Sequence, residues 1–142
     1  PLIKINYEVT LVGNRMDLLK EEFSNNSNVK VLGRVEDLSP YYEDADVVVG
    51  PIFEGAGMKV KTAEALSYGK IFIGTDESLI GYKELAGNLL GKSIVVCNNE
   101  EEFAKAINNL DFGNGFCPEN YDFFLKNYSI EAATCKLKTL LE

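Results

Sequence analysis

Three short apolar runs constrain this chain more than anything else in it: Val47-Val48-Val49, Ile71-Phe72-Ile73 and Ile94-Val95-Val96-Cys97, none interrupted by a polar residue. A strand with one wet face alternates polar and apolar side chains, so an unbroken run reads as a strand buried on both faces, as in a parallel sheet between helix layers. Helical patterns separate the runs. Ser39-Pro40 starts a helix that carries Tyr41 and Tyr42 and stops near Ala45, with serine suited to the cap and proline to the first helical position. A second spans Met58 to Tyr68, with Gly69 as its left-handed stop. Asn99 and Glu102 form a capping box for a third, whose apolar face is Phe103, Ala106, Ile107 and Leu110.

The rest of the chain extends this alternation. Tyr7 to Val12 reads as a strand ended by Gly13-Asn14, and Met16 to Phe23 as a helix burying Leu18, Leu19 and Phe23. Val29, Val31 and Val35 continue as a strand interrupted at Gly33-Arg34. Further helices are expected over Gly81 to Ala86, Pro118 to Asn127 and Ile130 to Leu141, the last capped by Ser129. The fold class is therefore α/β, a Rossmann-like parallel sheet with helices on both faces. Such sheets bind ligands beyond the carboxyl ends of their strands, where strand order reverses, and the loop from Phe53 to Met58 follows such a strand.

Composition narrows the function. With 46% hydrophobic residues in 142, residues 1–142 are expected to form one domain around one core. A formal charge of -8, from 22 acidic and 14 basic residues, argues against a broad basic face that grips nucleic acid, so any phosphate bound is small and held locally. No apolar run approaches the ~20 residues of a membrane-spanning helix, and no leader is present, which makes a cytoplasmic location the expectation. There is no histidine, the commonest general base and metal ligand, and no metal is expected. Cys97, Cys117 and Cys135 lack metal-ligand spacing and read as reduced core thiols. The start at Pro1, without an initiator methionine, suggests a piece of a longer protein.

Gly55-Ala56-Gly57 ahead of a helix fits either a plain steric turn or a loop whose bare amides approach an anion. Lys59 and Lys61 favour the second reading. In the helix's first turn, cations oppose the dipole unless an anion is bound there, although both could also point into solvent. Glu64, three residues after Lys61, could pair with it along the helix or accept hydrogen bonds from vicinal sugar hydroxyls. Arg34 lies just past a strand and could line the same carboxyl edge or be a solvated loop residue. Glu54 is the other acid beside the glycines. Tyr41-Tyr42 and Phe123-Phe124 read as helix packing residues.

These residues resemble the C-terminal, nucleotide-sugar-binding half of a GT-B glycosyltransferase, in the large retaining group called family 4. The resemblance runs from Val9-Thr10-Leu11-Val12-Gly13 through the segments 28–35 and 42–49 to about Leu110, and its most specific part is the stretch from Gly55 to Gly69. It implies a donor sugar linked to a nucleoside diphosphate, no cofactor or metal, and a role in polysaccharide or glycoconjugate biosynthesis. Gly55, Gly57, Met58 and Lys59 or Lys61 would approach the diphosphate and sugar, Glu64 the ribose hydroxyls, and Arg34 and Val35 the base. The family often carries two glutamates separated by seven residues. Here Ala56 holds the position that would pair with Glu64, and Glu54, the candidate catalytic residue, stands two residues earlier. The family's half also opens with a central strand that this chain starts after, unless Leu2 to Ile5 partly fills its place. A glycan, lipid or small-molecule acceptor would sit on an N-terminal domain. The full-length protein could lie at the inner membrane face, the fragment alone would be inactive, and exposed sheet edges could pair two copies. A sugar-nucleotide 2-epimerase and a non-catalytic nucleotide-binding α/β domain are the alternatives.

Overall fold

The computed structural model describes residues 2–142; the expectation attached to Pro1 lies outside them. Its strands are β1 (Val9–Val12), β2 (Val29–Gly33), β3 (Val47–Gly50), β4 (Ile71–Gly74) and β5 (Ile94–Val96), and every pairing between them is parallel. The helices are α1 (Ser39–Asp44), α2 (Val60–Ser67), α3 (Lys83–Ala86), α4 (Glu100–Asn109), α5 (Pro118–Tyr128) and α6 (Ile130–Leu141). This is the mixed α/β, Rossmann-like arrangement of parallel strands flanked by helices that the apolar runs require.

The strands divide between two sheets. β1 pairs with β2, and separately β3, β4 and β5 lie side by side in chain order, so no reversal of strand order falls within the three-stranded sheet. β4 sits at its centre and is buried at every residue, whereas β3 is an edge strand whose Val49 is 42% exposed. The run 47–49 is thus not covered on both faces. The core joins Ala65 and Leu66 of α2, Phe72 of β4, Leu79, Tyr82, Ala86 of α3, Ile94 of β5 and Phe123 of α5.

Two glycines bring the strand ends together. Gly50 pairs with Gly74, and the Phe72 ring lies against both, since a Cβ at either position would stand 2.5 Å from a ring carbon. Gly69 ends α2 as expected: its φ is 61°, its N–H donates to Leu66, and the Lys70 N–H reaches back to Ala65, a Schellman closure. Asn120 of α5 then pins the next segment. Fully buried, it donates to the carbonyls of Lys70 and Ser93 at 2.8 and 3.1 Å and accepts from the Ser93 hydroxyl at 2.7 Å. The Lys70 ammonium, buried as well, donates to the carbonyls of Glu43 and Gly115, and burial pulls its pKa down.

Several local expectations are corrected. Met16–Leu19 forms only a 3-10 turn with no buried residue, and Leu18 is 66% exposed, because β1 and β2 lie in a separate sheet outside the core that would have covered this face. β2 stops at Gly33, which has a φ of 75°, so Val35 is not in the strand. Ser39 does not cap α1. It is the first helical residue, its N–H donates to Asp37, and its hydroxyl accepts from Tyr68. The expected helix from Gly81 starts only at Lys83, since Gly81 takes a φ of 80°. Asn99 caps α4 as expected, but Glu102 returns its bond to the N–H of Asn98, one residue before the cap. Leu2 to Ile5 forms no strand and instead lies against α4, where Asn108 accepts from the Lys4 N–H and donates to Leu2 O. The cysteines are all free, yet only Cys97 is buried and Cys135 is exposed.

Asn120 offers the sharpest test of this packing. Asn120→Ala leaves buried carbonyls and a hydroxyl without their partners, and should lower the unfolding free energy by about 2–3 kcal/mol in denaturant titrations at unchanged m-value. A loss under about 0.5 kcal/mol would show that the bonds are replaced by water.

Candidate functional site

The loop of interest leaves the carboxyl end of β3 and enters α2. Because Gly50 pairs with Gly74, the turn that follows β4 runs beside it, and side chains from that turn hold the loop down. Thr75 donates its hydroxyl to Ile52 O, and Tyr82 donates to Lys59 O at 2.9 Å. Thr62 of α2 donates to Ser78 O at 2.7 Å, tying the helix start to the same turn. Met58 rests on Gly81, where a Cβ would come within 2.6 Å of the Met58 Cγ.

Glycine is required here for backbone reasons at Gly57, which has a φ of 68° and open space around it. At Gly55 the φ of 143° likewise favours glycine, and the end of the Lys59 side chain lies in ordinary contact range of a Cβ there. The backbone amides from Gly55 through Lys61 have no acceptor within the protein among the described residues, and no side chain caps α2. Exposed amides at a helix start make an anion-binding arrangement.

The two lysines have separate environments. Lys59 is not in the helix. It occupies the cap position with extended backbone, and its ammonium donates to Gly57 O at 2.8 Å and forms an ion pair with Glu77 at 2.7 Å. Lys61 is in the first turn, exposed, and has no carboxylate within ion-pair distance among the described residues. The expected helical pair between Lys61 and Glu64 is therefore not formed. Glu64 instead accepts from the Tyr42 hydroxyl at 3.1 Å. Tyr42 stacks on Tyr68 with ring centroids 5.0 Å apart, and its phenol pKa is raised first by burial and then by the Glu64 carboxylate.

Other sequence-derived candidates lie apart from this cluster. Glu54 is exposed and makes no hydrogen bond or ion pair among the described residues. Arg34 and Val35 follow β2, in the other sheet, with no polar link to the loop among the described residues. Sequence reasoning passed over Glu77 and the group formed by Asp76, Lys83 and Asn98. Lys83 pairs with Asp76, and the Asn98 side-chain amide accepts from the Asp76 backbone N–H and donates to the Asp76 carboxylate. Their signal was position: Asp76-Glu77 and Asn98 follow directly on β4 and β5, at the carboxyl edge where such sheets bind ligands. Two clefts lie elsewhere, one of about 500 Å³ between the N-terminal segment and α4, the other of about 380 Å³ beside Ile71 and Ser93 at the amino ends of β4 and β5. Neither includes the glycine loop, which is open to solvent. Among the described residues no group of His, Cys, Asp or Glu could hold a metal ion, and no helix is long and apolar enough to cross a membrane.

A parallel sheet flanked by helices, with a glycine loop running into a helix at its carboxyl edge, defines a Rossmann-like α/β domain. The model of the family described as glycosyl transferases group 1 matches residues 1–110, and the chain belongs to that family, as a glycosyltransferase domain of GT-B type. No curated protein matches the chain.

The Tyr42 contact can be tested directly. Tyr42→Phe keeps the stack on Tyr68 but leaves Glu64 without its donor, and should cost about 1 kcal/mol of stability. An unchanged denaturation midpoint would mean that solvent already satisfies the carboxylate.

Proposed function

We propose that this chain is the donor-binding domain of a retaining family 4 glycosyltransferase, which holds a nucleoside diphosphate sugar at the loop and first turn of α2. One observation supports the reading: among the described residues the amides from Gly55 through Lys61 have no acceptor and Lys61, in the same stretch, has no carboxylate within ion-pair distance. In this assignment Gly55, Gly57 and Met58 shape the approach to the diphosphate, Lys61 and Lys59 meet its charge, and Glu64 takes the ribose hydroxyls. Glu54 is assigned to the transferred sugar, and Arg34 with Val35, which follow the other sheet, to the base.

The chemistry follows from charge. When the glycosidic bond to the donor breaks, the leaving diphosphate gains negative charge, and amides and ammonium groups that bind it better as it departs lower the barrier. No metal or other cofactor is assigned a part in this step. The acceptor, a glycan, lipid or small molecule, is assigned to a further domain across a cleft that closes on binding, and the full-length protein is assigned to the cytoplasm, where a peripheral position at the inner membrane face is open to it. Residues 1–142 act as one domain and turn over no donor by themselves.

The test is thermal stabilisation by uridine, guanosine and adenosine diphosphate sugars. A ligand at a hundredfold its Kd stabilises by about 2.7 kcal/mol, which raises the melting temperature by roughly 8 °C in a chain of this size. One of the panel should do so. Lys61→Ala should weaken that binding by roughly tenfold at unchanged basal stability, as expected for loss of a charge-assisted bond to phosphate. If no nucleotide sugar shifts the transition, or Lys61→Ala and Glu64→Ala bind as the parent does, the donor-site reading fails.

The open edges of β1 and β3 are assigned to pairing with a second copy, since unpaired strand edges invite it. Sedimentation should then return twice the monomer mass, and a strict monomer at high concentration would remove this assignment.

A further inference from the structure

The donor-site reading leaves one charge unexplained. Glu77 brings a carboxylate to the mouth of a loop otherwise suited to anions, and it does so from a fixed place. The turn that carries it is held by Ser78, whose N–H and hydroxyl bond Thr75 at 3.1 and 2.8 Å, and by Thr62, which donates to Ser78 O. Its Oε1 lies 2.7 Å from the Lys59 ammonium, with the two side chains only 13% and 23% exposed in the order lysine, glutamate. Gly55 lies against the pair: a Cβ there would stand 3.4 Å from the Lys59 Nζ and 3.9 Å from Glu77 Oε1. With Gly57 O on a second N–H of Lys59 at 2.8 Å, the carboxylate and the loop carbonyl already engage two of the ammonium's donors, in the segment whose amides have no acceptor among the described residues.

We propose that Glu77 is an affinity-setting residue of the site, an internal competitor whose carboxylate holds Lys59 in the empty protein and must be displaced by the diphosphate of an incoming ligand. This rests on the donor-site reading and goes beyond it, because it gives the two lysines different parts. Lys61 is available to an anion from the start. Lys59 becomes available only as Glu77 is released, and Glu77 returns to it when the diphosphate leaves. Two anions contending for one ammonium lower the affinity for each, and the carboxylate also repels a phosphate held a few ångströms away at this partly desolvated position.

The experiment measures the binding of uridine, guanosine and adenosine diphosphates to the 142-residue chain and to its Glu77→Gln and Glu77→Ala variants by calorimetry, with melting temperatures recorded for each. Gln keeps an acceptor for Lys59 without the charge. Whichever diphosphate the parent binds should bind roughly tenfold tighter to Glu77→Gln, the order expected for removing one close like charge, and Glu77→Ala should show the same gain. The gain should vanish in a Lys59→Met background. Binding that is unchanged or weaker in folded Glu77 variants, or a gain that persists without Lys59, overturns the competitor role while leaving the donor site standing. If neither parent nor variants bind any of the diphosphates, the donor-site reading itself fails and takes this inference with it.

Discussion

Everything at the glycine loop depends on β4 being held on both edges. It pairs with β3 on one side and β5 on the other, and every residue in it is buried. Hydrogen bonds on both edges leave the strand no freedom to shift, so the turn after Gly74 is a fixed platform, unlike most surface connections. The Phe72 ring converts that fixity into position. It needs the bare backbone of Gly50 and Gly74 on its surface, and this packing brings the ends of β3 and β4 close enough for Thr75, Glu77 and Tyr82 to reach the loop.

On that platform, the loop shows two distinct uses of glycine and two of lysine. Gly57 permits a left-handed backbone in open space, while Gly55 takes its positive φ beside the lysine side chain and its carboxylate partner. Lys61 extends from the helix into water. Lys59 folds back against the loop carbonyl and Glu77, so one of the two cations is already neutralised before any ligand arrives. A dipole that opposes cations at a helix start is consistent with this division, since the lysine nearest the amide cluster carries its own counter-charge. The acid farther along the helix, Glu64, is likewise held, by Tyr42 of the preceding helix and through the ring stacked on it.

Much of the architecture was legible in the sequence because it depends on local rules. Unbroken apolar runs placed β3, β4 and β5, the glycine after Tyr68 ended α2, and Asn99 and Ser129 capped the helices that follow them. The failures arise where a partner distant in sequence or a local backbone turn overrides the rule. Leu18 and Val49 carry side chains that belong in a core, but burial depends on what packs over them, and the division into two sheets leaves both open. Ser39 offered a good cap, yet the helix begins one residue earlier than a Ser39 cap requires, with the Ser39 N–H on Asp37 and its hydroxyl accepting from Tyr68.

For the site, the sequence by itself determined the ingredients: a glycine loop entering a helix after an apolar strand, two lysines and a glutamate at fixed spacing, and a formal charge of -8. Those follow from residue type and chain neighbours alone. Only the tertiary structure decided which charges meet. Glu77 lies eighteen residues from Lys59 and reaches it because β3 and β4 pair in register, and Tyr42 finds Glu64 because α1 lies beside α2. Spacing along a helix suggested Lys61 as the partner of Glu64. A half-buried phenol from another element took that place, because it satisfies the carboxylate without holding a long, flexible lysine in one exposed conformation.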